Sequence, residues 1–158
     1  MMVFAGHVGV ALIIAYLFRL NPLLAVIGGV LPDLDSILFF FGVKWTTAHR
    51  KITHSLLFLT PFVILSLFVP IAWALVAGLV THLAMDLDHW GVPFLYPFIK
   101  REYSVMKIDH HLGNEFDSPI DAIKEFFKTR KAVIEFIILI VGVALTWDYW
   151  INLLNLFF

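Results

Sequence analysis

The sequence of 158 residues contains no cysteine. Disulfide bonds and thiolate metal ligands are therefore excluded, so any bound metal ion must be held by histidine, aspartate or glutamate, which favours zinc or a neighbouring divalent ion. Charged residues are scarce, at 15% of the chain against about 25% in soluble domains. The formal net charge of −1 gives no basic footprint for nucleic acid, and we expect no nucleic-acid partner.

Apolar residues are in excess. They make up 61% of the chain, and the mean hydropathy is +0.91, whereas soluble domains are about 45–50% apolar. This composition predicts an integral membrane protein, with room for one domain over residues 1–158. We expect an all-α fold, a polytopic transmembrane helical bundle of four to five short spans. No basic residue precedes Arg19 and no cleavage pattern follows the first apolar run, so that run is expected to be a retained span and not a signal peptide.

The first helical hairpin is predicted from two apolar runs, residues 3–18 and 23–31, with a turn centred near Leu20. Both runs are short for full spans, which need roughly 20 residues. His7 and Asp33 each lie 13 residues from Leu20, so the two side chains should return to the same depth.

The second hairpin turns at Pro70 between two further apolar runs. His54 and Asp86 each lie 16 residues from Pro70 and should also share a level. His82 lies one helical turn deeper, on the same helix face as Asp86, because residues four apart are neighbours on a helix surface. An imidazole and a carboxylate in that relation can bind one metal ion.

The remainder of the chain is predicted to contain one polar region and one more span. Residues 99–131 are polar, and an amphipathic helix should begin near Ser118, where a Ser-Pro pair is followed by an acidic residue. The last span is expected from about Ala132 to Thr146. Aromatic residues of an interfacial belt follow it.

Basic residues are distributed unequally between the two ends of the predicted bundle. Ten lie on the side of the N-terminus, and only Arg19 lies on the other. The ten are Lys44, Arg50, Lys51, Lys100, Arg101, Lys107, Lys124, Lys128, Arg130 and Lys131. Since basic loops stay inside, we expect a multi-pass protein of the cell membrane with its N-terminus and polar cluster at the cytoplasmic face and its C-terminus on the opposite side.

Ionisable side chains gather at one end of the two predicted hairpins. They are His7, Asp33, Asp35, His54, His82, Asp86, Asp88 and His89. A charge at the centre of a bilayer costs about 2.5–3.5 kcal/mol, and no lysine or arginine is expected among them as a counter-charge. Metal binding therefore explains the cluster better than structural pairing does, although a proton relay in a transporter is an alternative.

Four ordered motifs and a following aromatic stretch, which together cover residues 6–97, resemble the successive signatures of the YdjM-like family of membrane proteins. They are Gly6-His7, Leu31-Pro-Asp-Leu-Asp35, His49-Arg-Lys-Ile-Thr-His-Ser-Leu-Leu57, His82-Leu-Ala-Met-Asp86 and Trp90-Gly-Val-Pro-Phe-Leu-Tyr-Pro97. That family is described as predicted metal-dependent hydrolases. It is in turn similar, at a distance, to the all-helical superfamily of zinc-dependent phospholipase C and single-strand nucleases.

The resemblance implies a set of metal ligands and a cofactor. The ligands are His7, Asp33, His54, His82 and Asp86, with His111 and Glu115 as a further pair that repeats the four-residue spacing. The implied cofactor is a divalent metal, zinc above all, with two or three ions. Those ions would lower the pKa of a bound water from about 15.7 to about 7 and hold phosphoryl oxygens.

Three more residues are candidates for catalysis. Arg50 could bind a phosphate bidentately, and His49 could bind metal or protonate the leaving group. Asp35 of the Leu-Pro-Asp-Leu-Asp motif is assigned to the same catalytic set.

The leading hypothesis is a membrane-embedded metal-dependent hydrolase, a phospholipase C-like phosphoesterase. A site at the level of the headgroups favours a lipid or lipid-linked phosphoester as substrate. A metal or proton transporter and a non-catalytic membrane scaffold are the alternatives.

Overall fold

A computed structural model describes residues 4–36, 51–87, 91–105, 124 and 127–156. This part of the chain contains six α-helices, three short 3-10 helices and no strand, so the predicted all-helical class is confirmed. The α-helices are α1 (Phe4–Leu17), α2 (Pro22–Val30), α3 (Leu56–Phe68), α4 (Trp73–Met85), α5 (Arg130–Leu145) and α6 (Trp147–Leu154), and the 3-10 helices are Leu31–Ser36, Ile52–His54 and Pro70–Ala72.

Three of these helices begin at a capping side chain that the sequence supplies. The Oδ1 of Asn21 accepts from the backbone nitrogen of Leu24 at 3.0 Å, ahead of a proline at the first position of α2. Ser55 caps α3 and Thr129 caps α5 in the same way. A side-chain oxygen at this position satisfies one of the backbone N–H groups that a helix start leaves without a partner.

Both predicted hairpins are present. Helix α1 packs against α2 and α5, α2 packs against α4, and α4 packs against α3. Glycines permit close approach at two of these contacts. A Cβ on Gly78 of α4 would lie 2.7 Å from the backbone nitrogen of Gly29 in α2, and a Cβ on Gly142 of α5 would lie 2.7 Å from the carbonyl oxygen of Gly9 in α1. Small residues at such contacts let helix backbones meet.

Residues 91–105 pack against the end of the bundle at which the polar residues of the two hairpins lie. The segment bonds to itself through a bridge between Val92 and Tyr103. It then bonds to the bundle, because the Leu56 nitrogen donates to Phe94 and the Val105 nitrogen donates to Leu87, both at 2.9 Å.

The C-terminal helix lies at the other end. The hydroxyl of Tyr149 in α6 donates to the Oδ1 of Asn21, in the turn between α1 and α2, at 3.3 Å. The predicted end of the last span at Thr146 agrees with the end of α5, although α5 begins two residues earlier than expected. The predicted start of the amphipathic helix at Ser118 lies outside the described residues.

Among the described helices, none is by itself both long enough and apolar enough to cross a membrane. Helices α5 and α6 pass that test of length and composition only when taken together, and they are bent by 63° at the break between them. The number of spans therefore stays a prediction.

Candidate metal centre

The carboxylates of the first hairpin enter the site from a 3-10 helix. Leu31–Ser36 directly follows α2 and carries Asp33 and Asp35. A 3-10 helix has three residues per turn, so two residues that are two apart point in different directions, about 120° from each other. The Oδ1 of Asp33 lies 3.8 Å from the Nε2 of His54, whereas the Oδ2 of Asp35 lies 3.7 Å from its Nδ1.

The 3-10 turn Ile52–His54 presents His54 to the site just before α3 begins. Ser55 fixes this junction, because its hydroxyl donates to the Ile52 carbonyl at 2.6 Å and accepts from the Phe58 nitrogen at 3.3 Å. His54 and Ser55 are both fully buried. The ring of His54 is therefore held between the hairpins with its Nε2 towards the other candidate ligands.

The second hairpin also supplies His82 and Asp86, from the last turn of α4. The backbone nitrogen of Asp86 donates to the His82 carbonyl at 3.1 Å, so the helical geometry continues to Asp86 at its C-cap. The Nε2 of His82 lies 3.6 Å from the Oδ2 of Asp86. The predicted sharing of one helix face is confirmed.

These residues form a group of four possible metal ligands. One ligand atom each from Asp33, His54, His82 and Asp86 lies within 4.8 Å of all the others, so the group could hold a metal ion. Five of the distances among the two Nε2 atoms, the Asp33 Oδ1 and the Asp86 Oδ2 lie between 3.2 and 3.8 Å. Ligands at 2.0–2.2 Å around a tetrahedral zinc ion are separated by about 3.3–3.6 Å.

The proton positions also suit metal binding. The Nδ1 of His82 lies 2.7 Å from the carbonyl oxygen of Gly29. A carbonyl can only accept, so Nδ1 carries a proton, and Nε2 is the ring nitrogen that can donate a lone pair to a metal ion. A backbone carbonyl on the outer nitrogen is a usual partner of metal-binding histidines.

His7 joins the site from α1. Its ring stacks on that of His82, with the centroids 4.0 Å apart and the planes inclined by 22°. Its Nε2 lies 3.6 Å from the Oδ1 of Asp86, the oxygen that the four-residue group does not use. The structure thus places His7 beside the group, on the second oxygen of a shared carboxylate.

The site is enclosed on most sides. His7, His54, His82 and Asp86 are each at most 2% exposed, but the side chain of Asp33 is 20% exposed. Buried imidazoles and carboxylates lose the hydration that stabilises their charges. Asp33 therefore marks the side of the group that is open to solvent or to a substrate.

Of the other predicted site residues, only Asp35 is described. It contacts His54 from outside the four-residue group. His49, Arg50, His111 and Glu115 lie outside the described residues, and their roles stay predictions.

The structure reveals two polar residues near the site that the motifs did not single out. The hydroxyl of Thr53 lies 3.0 Å from the Nδ1 of His54 and bonds to Asp35. Glu135 of α5 is buried, and its Oε2 accepts from the backbone nitrogen of Gly6 at 3.1 Å, next to His7. Glu135 could have been found from the sequence, because it is the one charged residue between positions 132 and 146.

The carboxylate of Glu135 lies at the first turn of α1. Helix starts leave backbone N–H groups without intrahelical partners and carry positive potential, so an acid there is stabilising. This contact joins α5 to the part of α1 that carries His7.

Fold and site together define an all-helical protein with a candidate metal centre of histidines and aspartates. A family model, described as YdjM inner membrane protein, matches residues 1–153. The chain therefore belongs to the YdjM inner membrane protein family, and it is a membrane protein. Comparisons with curated proteins and with solved structures found no match.

Replacing Asp86 tests the centre against a matched control. Asp86→Asn removes a charge and one oxygen donor from the middle of the site, so metal affinity should fall by about 100-fold or more, beyond the 10–100-fold that outer partners give. Asp148→Asn makes the same change on the exposed face of α6 and should leave affinity unchanged. Metal content after dialysis against a chelator measures both. Retention of wild-type content by Asp86→Asn would contradict the assignment.

Proposed function

We propose that the protein is a membrane-embedded metal-dependent hydrolase that acts on a phosphoester. The observation that carries the proposal is the set of five distances, 3.2–3.8 Å, that join the ligand atoms of Asp33, His54, His82 and Asp86. Two imidazole nitrogens and two carboxylate oxygens at separations close to those of a tetrahedral site suit zinc better than calcium or magnesium, which prefer six or more oxygens.

The proposed number of ions is two or three. His7 and the Oδ1 of Asp86 are the donors available for a second ion beside the first. His111 and Glu115 are the candidates for a further pair, on the evidence of their spacing alone. Asp86 would then contribute to both ion sites, since its Oδ2 belongs to the four-residue group and its Oδ1 lies beside His7.

Bound divalent ions would lower the pKa of a coordinated water to about 7 and polarise a phosphoryl oxygen. The residues of the chain serve this chemistry by their placement. The side chain of Asp33 is the most exposed of the four, so a substrate would approach the bound ion on the side of Asp33. The rings of His54 and His82 are buried and would bind the ion away from solvent.

The proposed substrate is a lipid or lipid-linked phosphoester. Membership of an inner membrane protein family supports a substrate that resides in the bilayer. Three large apolar side chains within two positions of site residues, Leu34, Ile52 and Leu56, are 44–50% exposed, which suits contact with acyl chains or isoprenoid chains. Arg50 is proposed to bind the phosphate, with His49 as ligand or acid, as in the sequence hypothesis.

A scaffold stabilised by a metal ion is the second candidate. It is favoured by the same four protein ligands, because structural zinc sites are usually closed by four side chains, whereas catalytic sites keep one position open. The 20% exposure of the Asp33 side chain favours the hydrolase, since a substrate could reach the ion from the side of this ligand.

Transport across the bundle has less support. Towards the far end, the buried polar residues of the described part are Ser66 and Thr146. Both hydroxyls donate to carbonyls of their own helices, at 2.7 and 2.8 Å. These two hydroxyls are therefore bonded within their own helices and give no support to a transport path.

Two substitutions test the hydrolase. Asp33→Asn should lower metal content and turnover together, whereas Arg50→Lys should keep the metal and lose about 10- to 100-fold in kcat, because an ammonium cannot reproduce the planar fork of a guanidinium. Turnover is measured on phospholipids, lipid pyrophosphates and lipid-linked phosphodiesters, with Asp148→Asn as the control. If metal-loaded wild-type protein turns over none of these, the hydrolase is wrong and the metal-stabilised scaffold replaces it.

The proposed arrangement in the membrane is a single multi-pass domain with the N-terminus and the site on the cytoplasmic side. It rests on the ten-to-one distribution of basic residues. Single cysteines at positions 104 and 158 report the two sides, since the chain has no native cysteine. In intact cells an impermeant thiol reagent should label Phe158→Cys and spare Ser104→Cys. The reverse pattern would invert the orientation.

A further inference from the structure

A chain of three polar groups runs outward from the candidate metal centre. The Nδ1 of His54 lies 3.0 Å from the hydroxyl oxygen of Thr53. That hydroxyl bonds in turn to the Oδ2 of Asp35. Asp35 and Thr53 therefore contact the side of the His54 ring that faces away from Asp33, His82 and Asp86.

The direction of each hydrogen bond follows from the donors available. A carboxylate oxygen only accepts, so the single hydroxyl proton of Thr53 is donated to Asp35. The oxygen of Thr53 then has only lone pairs to offer to His54. The Nδ1 of His54 therefore carries a proton, which leaves Nε2, on the side of the four-residue group, as the nitrogen that can bind a metal ion.

We propose that Thr53 and Asp35 are positioning residues that hold His54 in the Nδ1-protonated tautomer, with Nε2 directed at the metal. The inference rests on the proposed metal centre. It gives Asp35 a supporting role in place of the catalytic role that the sequence suggested. Thr53 and Asp35 do for His54 what the Gly29 carbonyl does for His82.

Local backbone geometry explains why two residues are needed. His54 lies in a 3-10 turn of three residues, and the hydroxyl of the preceding residue is within reach of its ring. A hydroxyl alone could donate to Nδ1 and stabilise the wrong tautomer. Asp35, whose side chain is 9% exposed, removes that possibility because it takes the hydroxyl proton.

The first test measures metal affinity by competition with a chelating indicator, using zinc as the probe. Thr53→Val keeps the shape but removes the hydroxyl, and it should weaken zinc binding by about 10- to 100-fold, as losing an outer partner does. Thr53→Ser should restore binding to within about threefold of wild type. Thr60→Val is the matched control, because the Thr60 hydroxyl donates to the Leu56 carbonyl on the exposed side of α3, and its affinity should not change.

The second test reads the tautomer directly. Nitrogen-15 NMR of metal-free protein in detergent, at a pH where imidazole is neutral, distinguishes protonated from unprotonated ring nitrogens, and loss of a signal in His54→Gln assigns it. Wild type should show a protonated Nδ1 on His54. Asp35→Ala should shift the proton towards Nε2, because the Thr53 hydroxyl becomes free to donate to Nδ1. A merely structural role for Asp35 would not reverse the tautomer.

The two readouts separate the possible failures. If wild-type protein binds no zinc but shows the Nδ1-protonated tautomer and Asp35→Ala reverses it, the metal centre and the proposed function are wrong, whereas the control of the His54 tautomer by Thr53 and Asp35 stands. If zinc binds but Thr53→Val binds equally well and the tautomer is unchanged in Asp35→Ala, the positioning role is overturned and the metal centre stands.

Discussion

The structure depends on keeping two imidazoles and two carboxylates together in a largely apolar interior. His54, His82 and Asp86 are almost completely buried, and the Nε2 atoms of the two histidines are 3.2 Å apart. Two protons cannot occupy the space between those nitrogens, and the carboxylates of Asp33 and Asp86 repel each other. A divalent cation would satisfy all four groups, because each could then donate a lone pair to one positive charge.

Two features of the helices bring the four side chains together. Helices α2 and α4 pack closely, and 3-10 turns follow α2 and precede α3. Contact between α2 and α4 at Gly29 and Gly78 brings the Gly29 carbonyl to the ring of His82. Asp33 and His54 then come from 3-10 turns at helix ends, where side chains of both hairpins can converge. The glycines and the short turns therefore belong to the construction of the site as much as to the fold.

Counting residues from the turns predicted the positions of His54, His82 and Asp86, because helices rise by a constant distance per residue. The same reasoning placed Asp33 at the depth of His7, but it did not show where Asp35 points, because that direction is set by a 3-10 helix that the motif does not reveal. It also did not identify Thr53, because a hydroxyl next to a histidine is common. The partner of that hydroxyl, Asp35, lies 18 positions away in the sequence. Contacts of that kind depend on how the two hairpins are packed.

X-ray absorption at the zinc edge of purified, zinc-reconstituted wild-type protein tests the metal centre most directly. We expect bound zinc with nitrogen and oxygen ligands at about 2.0–2.1 Å and the multiple scattering of coordinated imidazole. Protein that retains no zinc after chelator dialysis, or zinc surrounded by oxygen alone, would contradict the account.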